Sequence, residues 1–270
     1  MTLPTPAPLL ALDNVEVVYK RAITAVQGIS LRVLPGQIVA ILGTNGAGKT
    51  TTLRAITGFL GLDDARVTAG TILYKGKAIE NARPDRVARA GLVLVPEREK
   101  VFPNLTVAEN LLVPSRSATP FARRQREAFV MERFPALAGL RDRTAGLLSG
   151  GERQMLAIAS ALVAHPQVLL IDELSLGLAP ALVAELAEIL AAISRDLDLT
   201  IVLVEQSAAV ALAIADYGYV LENGRVVLDG DAARLRNHPD IRDFYLGQSS
   251  GERRSYRAVK QYRRSRRWYG

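Results

Sequence analysis

Residues Gly43-Thr44-Asn45-Gly46-Ala47-Gly48-Lys49-Thr50 follow the spacing G-x-x-x-x-G-K-[ST]. Glycines at these places let backbone N–H groups converge on phosphate oxygens, because no side chain stands in the way. A helix starting near Lys49 adds the partial positive charge of its N-terminus. Lys49 can then bridge the β- and γ-phosphates of a nucleoside triphosphate, and the Thr50 hydroxyl can ligate Mg²⁺. Gly43, Asn45, Gly46, Ala47, Gly48, Lys49, Thr50 and Thr51 are the candidate nucleotide contacts. An ordinary glycine-rich turn would need neither the apolar run before this one nor the helical pattern after it.

Two further groups could act on the same phosphates. Val168-Leu169-Leu170-Ile171 runs into Asp172-Glu173. A buried strand with this ending delivers both carboxylates to the C-terminal edge of a sheet, where ligands bind in α/β folds. Asp172 is the candidate holder of Mg²⁺, through water. Glu173 is the candidate base that orients and deprotonates the attacking water, a role worth about 10²–10⁴ in rate. Alone, the pair would read as a solvated strand end. Leu148-Ser149-Gly150-Gly151-Glu152-Arg153-Gln154 opens an apolar helix with a serine and two glycines, a second anion-binding arrangement. Its plain structural reading is a capping box between Ser149 and Glu152.

The elements that must position these groups alternate along the chain. Residues 14–18 and 29–33 read as strands, with a turn at Leu34-Pro35-Gly36. Ile38 to Leu42 is an unbroken apolar run, as in a strand buried on both faces. A helix is expected from about Lys49 to Phe59, a hairpin over 70–79 turning at Lys75-Gly76, and a buried strand at Leu92–Val95. From Phe102 to Leu148 the sequence turns charged and helix-favouring, which predicts an inserted helical subdomain. Strand pattern resumes at Val168–Ile171, followed by a helix near 180–194 and a strand at Thr200–Val204. A hairpin is expected around Asn223-Gly224. The alternation predicts an α/β fold with a mainly parallel sheet and crossover helices.

The composition narrows the chemistry. Hydrophobic residues make up 49% of 270, enough for a large core. With no cysteine there is no disulfide framework, thiol catalysis or Cys-ligated metal, which fits a reducing compartment. His165 and His238 are the only histidines, so a His-based metal site is not expected, and His165 reads as a helix-end residue. The N-terminus lacks the pattern of a secretion signal. The longest stretch free of Asp, Glu, Lys and Arg, Gln154 to Ile171, contains His165 and Pro166 and falls short of the ~20 apolar residues of a membrane span. The net charge of +7 sits entirely between Glu252 and Gly270, where eight Lys/Arg meet one Glu. The rest of the chain is neutral, so charge gives no reason to expect a nucleic-acid binder.

The glycine loop, the LSGGERQ segment and the VLLIDE strand together resemble the ATPase subunits of ABC transporters over roughly residues 9–247. Leu92 to Glu97, Val101 to Leu111, Ser175 to Pro180, Val204-Glu205-Gln206 and Tyr219 to Val227 narrow the resemblance to branched-chain amino acid importers, and to their LivF-like ATPase. The resemblance implies a P-loop NTPase core (9–96 and 166–247), an antiparallel β-subdomain and a helical subdomain at about 97–165. A loose leader (1–8) and a basic aromatic tail (248–270) flank them. It implies ATP and Mg²⁺ as cofactors and a dimer, with itself or with a LivG-like ATPase, that sandwiches two ATP molecules. Ser149, Gly150 and Gly151 would then act on the partner's γ-phosphate. Two transmembrane permease subunits, docked near Glu97 and residues 98–110, and indirectly a solute-binding protein outside the membrane complete the expected assembly. The expected place is the cytoplasmic face of the inner membrane, peripherally bound. Tyr19 stands where the family stacks an aromatic on adenine, although a partly buried strand tyrosine would look the same.

Three positions depart from the general pattern of that family. Glu97, a third candidate Mg²⁺ residue beside Thr50 and Asp172, stands where most members have a glutamine that touches Mg²⁺ and the membrane subunit. Gln206, a candidate catalytic residue beside Glu173, stands where most have a histidine beside the γ-phosphate, and Leu174 stands where proline is common. Gln206 can still donate a hydrogen bond to phosphate but cannot become cationic, so no histidine step is expected in the pH–rate profile. The tail interleaves Tyr256, Tyr262, Trp268 and Tyr269 with arginines and Lys260, which suits first a solvated or partner-docked extension, then contact with anionic lipid or the membrane subunit, and RNA last; no specific nucleic acid is expected. Branched-chain amino acids are the cargo the resemblance implies; urea, short amides and aromatic acids are alternatives. A non-transport ABC ATPase is a further alternative, without the paired domains, coiled coils or zinc cysteines usual there. A GTPase would need an N-K-x-D string for guanine, which this chain lacks, and either a GTPase or a small-molecule kinase would leave LSGGERQ unexplained.

Overall fold

The computed structural model of the chain describes residues 7–98, 100–115 and 119–245. The basic tail, Leu246-Gly247 and most of the expected leader lie outside the described residues. In chain order the elements are β1 (Leu10–Tyr19), β2 (Ile23–Val33), β3 (Ile38–Gly43), α1 (Lys49–Thr57), β4 (Ala65–Tyr74), β5 (Lys77–Ala78), α2 (Pro84–Arg89) and β6 (Leu92–Val95). Then come α3 (Val107–Leu112), α4 (Pro120–Arg133), α5 (Pro135–Ala138) and α6 (Gly150–Val163). They are followed by β7 (Val168–Asp172), α7 (Pro180–Leu197), β8 (Thr200–Glu205), α8 (Ala208–Ile214), β9 (Tyr217–Glu222), β10 (Arg225–Asp231), α9 (Ala232–Arg236) and α10 (Pro239–Tyr245).

The strands form two sheets. A six-stranded sheet runs in the order β10-β9-β3-β8-β7-β6, parallel except for the β9–β10 hairpin. A four-stranded antiparallel sheet runs β2-β1-β4-β5. The expected α/β core with an antiparallel subdomain is therefore present. Helices alone join β6 to β7 among the described residues, apart from one isolated bridge between Thr106 and Thr144.

Strand alternation explains how one sheet serves two cores. Ile38, Ala40 and Leu42 point into a cluster with Leu169, Ile171, Ile201 and Leu203 and the helices on that side. Val39 and Ile41 point the other way, against Val168, Leu170, Val202, Val204 and the antiparallel sheet. All six residues of β3 are buried, as are all five of β7 and all six of β8. Each fully buried Val, Ile or Leu contributes about 1.5–3 kcal/mol, so these strands are fixed firmly.

Element ends differ from the sequence reading at a few places. β1 and β2 extend well beyond 14–18 and 29–33, and register shifts interrupt their pairing. α1 stops at Thr57 rather than Phe59, because Gly58 turns left-handed (φ 80°) and its N–H closes on the Arg54 carbonyl. Asn223 and Gly224 both have positive φ (49° and 73°), as a two-residue hairpin of the expected type requires. His165 follows α6 with φ 60° and donates its N–H to the Leu162 carbonyl.

Candidate nucleotide site

Register brings the candidate residues to one edge. Leu42 of β3 lies opposite Glu205 of β8, and Val204 lies opposite Asp172 of β7. The chain exits at Gly43, Asp172-Glu173 and Glu205-Gln206 therefore stand side by side. This is the C-terminal edge of a parallel sheet, where α/β proteins bind ligands.

The loop from Gly43 to Gly48 is held by its glycines. A Cβ at Gly43 would lie 2.7 Å from the Leu221 carbonyl oxygen. Gly48 has φ 99°, and a Cβ there would lie 2.9 Å from the Ala25 carbonyl oxygen. Gly46 also has positive φ (79°), but a Cβ there would meet nothing within 4 Å. Asn45 and Gly46 are exposed at the loop's crest, while Ala47 is buried beneath. The Gly224 N–H donates to the Ala47 carbonyl at 3.0 Å, so the β9–β10 turn braces the loop from below. Sequence reading took Asn223-Gly224 for a hairpin only; nothing in its local pattern signals a brace.

Lys49 and Thr50 open α1. Lys49 is buried, and its ammonium donates to the carbonyls of Gly43 at 2.9 Å and Thr44 at 3.3 Å. It also pairs with Glu173 Oε1 at 3.1 Å. The Thr50 hydroxyl donates to Asp172 Oδ1 at 3.2 Å. These two hard oxygens fit Mg²⁺, which takes one or two protein oxygens and the rest from phosphate and water. No cluster of three or more His, Asp or Glu among the described residues could hold a metal by itself. Burial raises the Asp172 carboxyl from 3.8 to about 6; the Thr50 hydrogen bond opposes that, while Glu173 and Glu97 add to it. A nearby cation would reverse the balance.

Glu173 is 9% exposed and holds a left-handed backbone, φ 55°, fixed by its N–H to the Val204 carbonyl at 3.0 Å. Such a conformation in a non-glycine residue persists only where its surroundings over-determine it. Leu174, in the place of the family's proline, is fully buried in the larger core cluster. Gln206 is exposed immediately after β8. Tyr19 ends β1 with its hydroxyl 3.3 Å from Thr51 Oγ1, so the aromatic is tied to α1.

Glu97 and the serine-glycine segment sit differently. Glu97 follows β6, accepts from Arg98 Nε at 3.2 Å and reaches Asp172 only through its field. Lys100 donates to the Gln154 side-chain oxygen of α6, and burial lowers its pKa against the pull of Glu97. Ser149 caps α6 in a full capping box: its Oγ accepts from Glu152 N–H at 3.2 Å, and Glu152 Oε2 accepts from Ser149 N–H at 2.6 Å. Ser149 and Gly150 are exposed. The neighbours of Gly150 and Gly151 are Leu178 and Leu182, not the glycine loop. A cleft of about 710 Å³ opens beside them, lined by Glu97, Lys100, Phe102, Arg153 and Leu176 among others. Within one chain the structure thus unites the glycine loop, Tyr19, Asp172 and Glu173, and leaves the serine-glycine segment on a separate exposed face.

Known proteins resemble this chain over most of its length. The ABC transporter family matches residues 26–175. The branched-chain amino acid transport ATP-binding protein BraG of Pseudomonas aeruginosa is 39% identical over 239 residues, covering 88% of this chain and 100% of that protein. A probable LivF of Archaeoglobus fulgidus is 37% identical, covering 78% of this chain and 87% of the relative, and LivG of Escherichia coli is 32% identical, covering 90% and 99%. Among solved structures, the ADP conformation of MJ1267, an ATP-binding cassette of an ABC transporter, superposes with a TM-score of 0.76 at 26% identity, over 90% of this chain and all of that one. The dimeric post-hydrolysis state of the cassette MJ0796, bound to ADP and phosphate, shares the fold at 24% identity and a TM-score of 0.73, over 83% of this chain and 98% of that one. With its phosphate loop, its paired acids and these relatives, the chain belongs to the ABC transporter family of ATP-hydrolysing motor subunits.

Proposed function

We propose that this chain is the ATPase of an importer for branched-chain amino acids, working as a dimer that closes around two ATP molecules. The observation that carries the motor is the convergence of Lys49, Thr50, Asp172 and Glu173 at one sheet edge, with Thr50 and Asp172 bonded to each other and Lys49 paired with Glu173. The names of the 30–39% identical relatives support the cargo.

The chain's own groups divide the work. Backbone N–H groups from Gly43 to Gly48 cradle the phosphates, and Lys49 leaves Glu173 to meet the γ-phosphate. Thr50 and Asp172 would hold Mg²⁺, which would supply charge neutralisation at the phosphates. Glu173, released from Lys49, takes the proton of the attacking water. Tyr19 stacks on the base, with Thr51 anchoring its hydroxyl. Gln206 donates to the γ-phosphate side, and Glu97 lies on the segment that meets the membrane subunit.

The exposed Ser149-Gly150 end of a 14-residue helix, with Gly151 half-buried behind it, supports the second half of the reading. It is an anion-binding end with no phosphate loop beside it in its own chain, so a second ATPase subunit would supply the nucleotide. ATP at such an interface gives the differential affinity that a two-state motor needs. Two permease subunits would receive the motion at the cytoplasmic face of the membrane; among the described residues no helix is long and apolar enough to cross it.

The test is uptake in the cell of origin with Lys49→Ala replacing wild type. Labelled leucine, isoleucine and valine are compared with urea and an aromatic acid. Selective loss of leucine-type uptake supports the proposal. Loss of another solute keeps the motor and reassigns the cargo, and no loss with the protein expressed overturns the transport reading.

A further inference from the structure

Glu205 is a fully buried carboxylate for which the reaction above has no use. The four residues before it in β8, Ile201 to Val204, are apolar and fully buried, so filling space here requires no acid. A buried carboxylate is costly unless its lone pairs are satisfied. Here Ser175 engages both oxygens: Oε1 accepts from the Ser175 backbone N–H at 2.8 Å, and Oε2 accepts from the Ser175 hydroxyl at 2.7 Å; a weaker bond from the Ser207 backbone N–H adds to them.

Ser175 lies two residues beyond Glu173, and Gln206 follows Glu205 directly. The grip therefore ties the exit of β7 to the exit of β8 on the site's own edge. From Ser175 the chain turns through Gly177 (φ 73°) to Leu178, whose Cδ2 lies 3.8 Å from a Cβ built at Gly150. Leu182 on α7 crowds Gly151 in the same way, at 2.3 Å. One loop thus touches the base at one end and the start of α6 at the other.

We propose that Glu205 is a positioning residue: its double hydrogen bond to Ser175 fixes loop 173–178 and so sets the places of the Glu173 carboxylate and the Gln206 amide together. The inference rests on the roles given above to Glu173 and Gln206. The carboxylate acts by grip and not by charge, which makes glutamine its functional replacement. A glutamine carbonyl can accept from the Ser175 N–H while its NH₂ donates to the Ser175 oxygen, the hydroxyl turning from donor to acceptor.

The experiment is ATP hydrolysis by the full-length chain purified with the subunits it assembles with, comparing Glu205→Ala, Glu205→Gln, Ser175→Ala and Glu173→Gln. Misplacing a reacting group by about 1 Å costs about 10²-fold, so Glu205→Ala is expected to lower kcat by that order. The KM for ATP and the stoichiometry of bound nucleotide stay near wild type. Ser175→Ala falls in between, and it carries the test alone if Glu205→Ala does not fold. Glu205→Gln recovers most of the rate, which a merely charged or merely structural role would not give. Wild-type kcat in both Glu205→Ala and Ser175→Ala overturns the proposal, as does a Glu205→Gln as slow as Glu205→Ala. Glu173→Gln separates the two levels: if it hydrolyses at the wild-type rate, the underlying reading of the site is wrong. If it is inactive while Glu205→Ala and Ser175→Ala are normal, only the grip falls.

Discussion

Glu173→Gln removes a base and a counter-ion in one substitution, and the two effects have opposite signs. Glu173 Oε1 stands 3.1 Å from Lys49 Nζ, with side-chain exposures of 11% and 5%. At an effective dielectric near 20, that separation gives an attraction of about 5 kcal/mol before desolvation. Both charges have left water, so the net coupling is smaller. Removing one partner of a buried pair costs about 3–5 kcal/mol, chiefly through the charge left behind. Lys49 keeps its bonds to the Gly43 and Thr44 carbonyls, which sets the lower figure, about 3 kcal/mol, as the working one. In the wild type an incoming γ-phosphate must displace Glu173 from this ammonium. In the variant it does not, so ATP is expected to bind up to about 10²-fold more tightly, while kcat falls about 10²–10⁴-fold with the base gone. Three measurements check this. Calorimetric titration reads affinity, phosphate release reads kcat, and thermal unfolding without nucleotide should show the variant less stable. With saturating Mg-ATP the variant should also accumulate as a dimer on size exclusion. Weaker ATP binding than wild type, or a kcat within about fivefold of it, refutes the assignment of Glu173. A monomer under saturating Mg-ATP removes the sandwich.

Other consequences can be measured separately. Gly48→Ala forces a Cβ to 2.9 Å from the Ala25 carbonyl at φ 99°, so a loss of at least about 1–2 kcal/mol in stability is expected, with weakened ATP binding; unchanged melting would contradict the strained geometry. Asp172, with its carboxyl raised from 3.8 to about 6, favours the protonated form in the fold. Its contribution to stability is therefore full below about pH 4 and is lost as pH rises through about 6, a change of about 3 kcal/mol. Urea unfolding without divalent cations should show wild type losing more stability than Asp172→Asn between about pH 4.5 and about pH 7.5; parallel curves would contradict it. Tyr19→Ala should weaken ATP by about 3–10-fold, and Tyr19→Phe, which loses only the Thr51 bond, by much less; equal losses would mean the hydroxyl and not the ring carries the contact.

Much of the site is legible in the sequence because its parts are local. A strand, a glycine loop and a helix start within one short segment, and Asp172-Glu173 closes an apolar run too regular to be a surface turn. The same holds for the hairpin at Asn223-Gly224, where the turn chemistry is written in two residues. The pairing of Ser149 with Glu152 is equally local, and both readings of that segment stand together: the capping box is formed, and the helix end remains exposed. The misplaced ends have physical causes of the same kind. Gly58 stops α1 because it alone can turn left-handed there, whereas helical pattern by itself carried the helix on to Phe59.

What is not legible depends on register between strands far apart in sequence. Pattern reading ends the apolar run of β8 at Val204 and gives Glu205 no structural place, since acids are seldom fully buried. Only the pairing of Leu42 with Glu205 and of Asp172 with Val204 places that carboxylate inside, between the glycine-loop strand and the strand bearing the base. Ser175 then has to be the residue that satisfies it, because the left-handed turn at Glu173 brings the chain back over the end of β8. The Ala47–Gly224 brace is hidden for the same reason: the bond joins two turns whose sequences each make sense alone. A motif therefore names the groups that touch phosphate, while the groups that hold them still are set by strand order. Substitutions at Glu205, Ser175 and Gly224 should accordingly test the fold's contribution to catalysis without altering any residue assigned to the phosphates.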